Sequence, residues 1–196
     1  MKIKNLLILI GPPGSGKGTQ GKLLSPILEF NYLSLGQTLR QYAKQKTPEA
    51  KEIKKLINAG HIIPDATIKR IFFEAIKTLP KAKGLILDGF PRDIDQVNIL
   101  DEAIGKYKVD RLKAIFIDVP KVKVLQRLQK REDTESRADD NPEVIETRFQ
   151  EYDEKTYPLV KYFEKQHRLI RIHGDQTIEN VHAEIVRKLA HGEIRI

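Results

Sequence analysis

The chain predicts an α/β fold: one doubly wound parallel sheet in a single domain spanning residues 1–196. Three observations point to it. The apolar runs are near-continuous in Ile, Leu and Val rather than alternating, as strands covered on both faces require. Helical patterns separate those runs, and alternation of strand and helix builds a parallel sheet. The first run ends in "GPPGSGKGT", a turn poor in side chains that leads directly into a helix.

The elements follow in order. Ile3 to Ile10 is the first strand, and the glycine-rich turn opens a helix near Lys17. A shorter strand is expected at Tyr32 to Ser34. Residues 34–64 read as two short helices closing with "NAGHIIPD", an insertion in the simple alternation. Asp65 stands where the N-cap of the next helix is expected. Beyond it Ile68, Ile71, Phe72, Ala75, Ile76 and Leu79 form one apolar stripe at helical spacing, the mark of core rather than of a site. Gly84 to Asp88 and Ala114 to Val119 are the next strands. Residues 131–141, "REDTESRADDN", are polar and turn-like, and with residues 34–64 they are the candidates for mobile lobes. Asn141 is expected to cap a helix with Pro142 at its first position and Glu143 favourable to the dipole. That helix is expected to bend or break near Pro158. Leu169 to His173 closes the set of strands. No internal repeat, low-complexity tract or linker interrupts the chain.

Composition narrows the class. Hydrophobic residues make up 40% and charged residues 32%, which suits a buried core with a wet surface. Cysteine is absent, which excludes disulfides and thiolate zinc sites and fits a reducing compartment. The formal net charge of +8 favours polyanionic partners: nucleic acid, acidic membranes or phosphorylated small molecules. Lys44, Lys46, Lys51, Lys54 and Lys55 are scattered like solvated helix faces, and no nucleic-acid recognition motif is present. No stretch approaches the length that spans a bilayer. The run Leu6 to Ile10 stops at Gly11, too early for the apolar region of a signal peptide. The expectation is a soluble, cytoplasmic protein with neither a nucleic-acid nor a membrane partner.

Three segments carry chemistry. In "GPPGSGKGT", Gly11, Gly14 and Gly16 let the backbone wrap an anion and aim its N–H groups inward, and the following helix adds its positive end. Lys17 can reach outer phosphates as a point charge. The general P-loop pattern has Ser or Thr directly after the lysine, whereas here Gly18 precedes Thr19. In "LILDGFPRD", Asp88 ends a strand where ligands bind in such sheets. It can orient Mg²⁺ and its waters beside the P-loop, while Gly89 and Pro91 shape a turn that leaves Arg92 facing the crevice. Taken alone, Asp88 reads equally as a turn former. Arg127 and Arg131 share a helix face at i and i+4. Arg137 and Arg148 follow, and arginine suits multidentate phosphate recognition. Each of these arginines, taken singly, reads equally as a solvated surface residue.

Together "GPPGSGKGTQ", "DGFPRDIDQ" and "RLQKREDTESRADDNPEVIETRF", in this order, make nearly the whole chain resemble the adenylate kinase family of nucleoside monophosphate kinases, short-lid type. The resemblance implies a parallel-sheet core with the P-loop, a helical monophosphate-binding lobe at residues 34–64 and a short lid at 131–141. It implies that Gly11, Pro12, Gly14, Ser15, Gly16, Lys17, Gly18 and Thr19 hold ATP phosphates, and that Asp88 serves Mg²⁺ through water. Arg127 would pack on the ATP base, with Gly174 and Gln176 of "HGDQ" near the adenine. Arg131, Arg137 and Arg148 would clamp the transferring group, and Asp139 and Asp140 match paired acids that position the lid. Around the acceptor it implies Ser34, Leu35, Gly36, Arg40, Ile62, Ile63, Gly89, Phe90, Arg92 and Gln96. Arg40 and Arg92 would hold the acceptor's phosphate, and Gln96 would read its base. Lys17, Arg92, Arg131, Arg137 and Arg148 are then the catalytic set.

There are departures. Relatives that prefer AMP usually carry "TGD" where this chain has Leu35, Gly36 and Gln37, so a hydroxyl and an acid are missing. The short lid holds no metal-ligand set, so no zinc is expected. The expected activity is reversible phosphoryl transfer from MgATP to AMP by a monomer. The alternatives are a kinase for UMP, CMP or another small acceptor, a nucleic-acid-binding P-loop ATPase, and a binding protein that has lost activity.

Overall fold

The computed structural model describes residues 2–132 and 141–190, with backbone alone at 130–132. Five strands form one sheet: β1 (Asn5–Ile10), β2 (Phe30–Ser34), β3 (Gly84–Asp88), β4 (Arg111–Asp118) and β5 (Leu169–His173). All pair in parallel, in the order β2-β3-β1-β4-β5. The chain visits one side of β1 first and the other side afterwards. The crevice beyond the carboxyl ends of β1 and β3 therefore lies where strand order reverses, the place such sheets offer a ligand.

Helices cover both faces, as the unbroken apolar runs require. Along β1, Leu6, Ile8 and Ile10 join one hydrophobic cluster with Phe72, Phe90 and Phe163. Leu7 and Leu9 point the other way into a cluster with Leu24, Leu128 and Ile185. That split is the period of two of a strand, with apolar side chains on both sides. Burying each such leucine or isoleucine contributes about 1.5–3 kcal/mol, so the strand is pinned from both faces.

The expected helices are present. α1 (Lys17–Leu28) follows the glycine-rich turn. α2 (Leu35–Tyr42) and α3 (Pro48–Asn58) are the two short helices of the insertion. Thr47 caps α3 by accepting a hydrogen bond from the Ala50 N–H at 3.1 Å. α4 (Asp65–Thr78) buries Ile68, Ile71, Phe72 and Ile76, and adds Phe73. An ion-pair cluster joins these three helices: the Arg70 guanidinium on α4 donates to Glu49 on α3 at 2.6 Å, and Tyr42 on α2 donates to the same carboxylate at 2.6 Å.

α5 (Gln96–Tyr107) and α6 (Lys121–Glu132) follow β3 and β4. α7 (Pro142–Glu151) starts as the sequence indicates, with the Asn141 side chain accepting from the Val144 N–H at 3.0 Å. It runs into a π-helical turn at Tyr152–Thr156 before α8 (Pro158–Lys165). The expected bend near Pro158 therefore takes the form of a widened turn. α9 (Ile178–Ala190) packs beside α1.

Some boundaries differ from expectation for definite reasons. Ile3 is buried, but its N–H bonds the Tyr107 carbonyl at 2.9 Å, so β1 begins only at Asn5. β4 begins three residues early, because Arg111 to Lys113 pair with Asn5 to Leu7 despite their mixed polarity. Asp65 is not an N-cap. It is the first residue of α4, and its carboxylate accepts from Gln96 Nε2 at 3.2 Å instead.

Candidate active site

A cleft of about 810 Å³ opens at the carboxyl ends of β1 and β3. Its floor is the turn from β1 into α1. Gly14 sits there at φ 79°, and a Cβ on it would stand 2.9 Å from side-chain atoms of Val124 and Leu128 on α6. Both the conformation and the space require glycine. The Lys17 ammonium folds back over the turn, donating to the Gly11 carbonyl at 2.7 Å and the Pro12 carbonyl at 2.8 Å. Gly11, Gly14, Ser15, Gly16, Gly18 and Thr19 line the cleft with Lys17, while Pro12 acts through its carbonyl.

Asp88 ends β3 in register with Leu9 of β1, which brings its carboxylate beside the first turn of α1. A methyl group on Gly18 would lie 3.6 Å from Asp88 Oδ2. That oxygen accepts from the Tyr32 hydroxyl at 2.7 Å and from the Ser34 hydroxyl at 3.4 Å. Neither bond uses Oδ1.

The arginines arrive from separate elements. Arg40 on α2 and Arg92 after β3 converge on Gly36: a methyl group there would lie 3.6 Å from Arg40 Nη1 and 3.9 Å from Arg92 Nη2. Arg92 Nε also donates to the Gly89 carbonyl at 3.3 Å, and the Arg92 carbonyl accepts from the Thr156 hydroxyl in the π-helical turn at 2.6 Å. Arg148 on α7 lines the same cleft, with its Cγ close against Gly60. Arg127 on α6 donates through Nη2 to the Gly174 carbonyl at 2.8 Å and the Gln176 carbonyl at 3.3 Å, joining α6 to the loop after β5. Arg127 and Gln176 line the cleft, and these contacts bring Gly174 to them.

Around Arg40 and Arg92 the remaining residues divide. Ser34, Gly36, Ile62 and Gly89 line the cleft. Leu35, Ile63, Phe90 and Gln96 are buried behind it. Gln96 is fully engaged by its neighbours. Its Oε1 accepts from the Arg92 N–H at 2.9 Å, and its Nε2 donates to Asp65 at 3.2 Å and Asp93 at 3.1 Å. Burial raises the Asp93 carboxyl above its ordinary value, and the hydrogen bond from the Gln96 N–H only partly offsets this. The Arg131 side chain, Arg137, Asp139, Asp140 and most of the expected lid at 131–141 lie outside the described residues.

Sequence reasoning overlooked Tyr32, Thr156 and Glu151. Tyr32 carried a signal, since it stands two residues before Ser34 on an expected strand and so shares its side. Thr156 carried none, because its partner Arg92 lies far away in sequence; for Glu151 only the pairing with Lys155, four residues on, is local, and the one with His61 is not. Glu151 pairs with His61 at 3.0 Å and Lys155 at 2.7 Å, tying the loop after α3 to α7. Burial pushes the Glu151 carboxyl up, but hydrogen bonds from Lys155 and His61 outweigh it and hold it below the usual glutamate range.

Among the described residues, no cluster of three or more His, Cys, Asp or Glu side chains could cage a metal, and no helix is long and apolar enough to cross a membrane. Magnesium does not need such a cage. It keeps several waters and is held by one or two carboxylates together with substrate phosphates. A single carboxylate with one oxygen left over, beside a phosphate-binding turn, fits that requirement.

Comparison with known proteins adds independent evidence. A family model described as adenylate kinase matches residues 9–168. An adenylate kinase of Thermus thermophilus is 35% identical over 185 residues, covering 94% of this chain and 97% of its own length. An adenylate kinase of Cyanothece sp. is 36% identical over 179 residues, covering 91% and 92%. A protein named adenylate kinase 1 from Nostoc sp. is 35% identical over 179 residues, covering 91% and 95%.

Proposed function

The chain belongs to the adenylate kinase family, and on that premise we propose reversible phosphoryl transfer from MgATP to AMP, giving two ADP. One observation carries the proposal. The lysine-bearing turn, the strand-end carboxylate and the arginines of four separate segments, Arg40, Arg92, Arg127 and Arg148, meet in one cleft. That convergence suits a donor and an acceptor that are both phosphorylated.

Phosphoryl transfer asks little covalent chemistry of the protein, so positioning and charge neutralisation carry it. The turn from Gly11 to Gly16 holds the ATP phosphates on backbone N–H groups, with Lys17 at the outer ones. Lys17 must leave the Gly11 and Pro12 carbonyls to do so, and phosphate oxygens are the stronger acceptors. Arg40 and Arg92 hold the acceptor's phosphate. Arg148, with Arg131 and Arg137, neutralises charge on the transferring group. Arg127, Gly174 and Gln176 form the end of the cleft that takes the ATP base. Asp88 would hold Mg²⁺ through water, and the chemistry that ion would supply is neutralisation of phosphate charge. Residues 34–64 form the acceptor lobe and 131–141 the lid, and closure excludes the water that would otherwise hydrolyse ATP.

The acceptor preference rests on Gln96 and Leu35. Gln96 can donate and accept, as an adenine edge requires, once it exchanges its bonds to Asp65 and Asp93 for the base. Leu35 cannot supply the hydroxyl of relatives that carry threonine. We expect AMP to be the best acceptor, with a raised Michaelis constant. A coupled assay with ATP and AMP, UMP or CMP tests this. Higher kcat/KM with UMP or CMP would overturn the acceptor and leave the kinase in place.

A further inference from the structure

We propose that Tyr32 is a positioning residue for the metal-side carboxylate: its hydroxyl holds Asp88 Oδ2 so that Oδ1 is presented to the Mg²⁺ hydration shell of MgATP. This rests on the proposed role of Asp88.

The geometry is specific. Tyr32 and Asp88 stand on adjacent strands, where Tyr32 pairs with Ile86 and Ser34 with Asp88. The phenol reaches along the strand direction to Asp88 and donates at 2.7 Å, the short distance of a hydrogen bond to a carboxylate. Ser34, two residues on and on the same side, adds only a long contact of 3.4 Å to the same oxygen. Both donors fall on Oδ2, so the carboxylate is fixed in rotation. No described residue hydrogen-bonds Oδ1.

The ring is seated as deliberately as the hydroxyl. A Cβ on Gly21 would meet Tyr32 Cε2 at 2.3 Å and Cδ2 at 2.7 Å. Only a glycine in α1 lets the phenol lie against the helix. The helix that begins at the phosphate-binding turn and the acid that ends β3 are thus gauged against each other through one tyrosine ring. Groups that orient metal-side carboxylates act without touching the substrate, and losing them typically reduces metal affinity by about 10–100-fold.

Tyr32→Phe removes the hydroxyl and keeps the ring. Calorimetric binding of ATP to the full chain, with Mg²⁺ and again with chelator, gives the factor by which the metal tightens ATP. We expect Tyr32→Phe to reduce that factor about tenfold, with metal-free ATP binding unchanged. Asp88→Asn should abolish the metal-dependent factor, and adding Tyr32→Phe to it should change nothing further. Gly21→Ala, which displaces the ring, should reproduce the phenylalanine variant.

The outcomes separate. If the wild-type chain shows no metal-dependent factor that Asp88→Asn removes, the role of Asp88 fails and the proposal with it. If Asp88→Asn acts as expected but Tyr32→Phe keeps the full factor, only the positioning role is overturned. Equal weakening of ATP binding with and without metal would make Tyr32 a structural residue of the cleft, which also overturns the proposal.

Discussion

The Lys17 ammonium donates to the Gly11 and Pro12 carbonyls and to the Ser15 hydroxyl of its own turn, and it is no part of the apolar core, so its removal leaves that core untouched. We expect Lys17→Met to fold with a nearly unchanged Tm and to lose on the order of 10²-fold or more in kcat, the cost of one transition-state charge contact. Near-normal turnover by the folded variant would take the lysine out of the mechanism. Gln96 is the opposite case, a polar side chain 1% exposed whose every polar atom is used. Gln96→Ala leaves the Arg92 N–H and two carboxylates short of a partner. It should cost about 1–3 kcal/mol of stability and raise the Michaelis constant for AMP more than that for ATP. Denaturant melts and two-substrate kinetics read the two effects separately. Equal effects on both substrates would remove Gln96 from the acceptor side.

Among the elements, strands were the most legible, because a run buried on both faces leaves no other arrangement for Leu6 to Ile10 or Leu85 to Leu87. The hydrophobic signal measures burial and not pairing, which is why buried Ile3 was read as strand and half-polar Arg111 to Lys113 were not. The π-helical turn has no hydrophobic period of its own, and only the bond from Tyr157 N–H to Tyr152 O at 2.7 Å reveals it. The glycine turn and Asp88 were legible because their chemistry is local. The grip of Tyr32 on Asp88 and of Thr156 on Arg92 joins positions 56 and 64 residues apart, and no local pattern encodes it. The contact of Glu151 with His61 is of the same long-range kind, and it makes a prediction about elements. The Glu151 carboxyl is depressed in the folded chain, so its contribution is fully present above the unfolded value near 4.5 and is lost as pH falls through the folded one. Glu151→Gln should lower Tm at about pH 7, and the gap to wild type should close as pH falls well below about 4.5. A gap that stays constant down to about pH 3 would mean that the carboxylate's charge contributes nothing.

For the whole molecule, the question is what a net charge of +8 is for. Two parts of the structure answer differently. Much of the positive charge lies on exposed helix faces, as with Lys51, Lys54 and Lys55 on α3, and would attract any polyanion. The arginines of the cleft, Arg40, Arg92, Arg127 and Arg148, converge instead on one concave space of about 810 Å³, a size that suits small phosphorylated molecules. A molecule carrying the ATP and AMP phosphates on one scaffold should use the cleft and ignore the faces. At about 100 times its Kd, a ligand that binds only the folded chain stabilises it by about 2.7 kcal/mol. In a domain of this size 1 kcal/mol moves Tm by about 2–4 °C, so a two-headed ATP–AMP mimic should raise Tm by about 5–11 °C. Face binding to a polynucleotide relies on counterion release and weakens steeply with salt. At about 150 mM salt a polynucleotide at matched phosphate concentration should shift Tm by less than about 1 °C and should not displace the mimic. A comparable shift from polynucleotide at that salt, together with ATP hydrolysis that needs no monophosphate, would mean that the exposed charge serves nucleic acid.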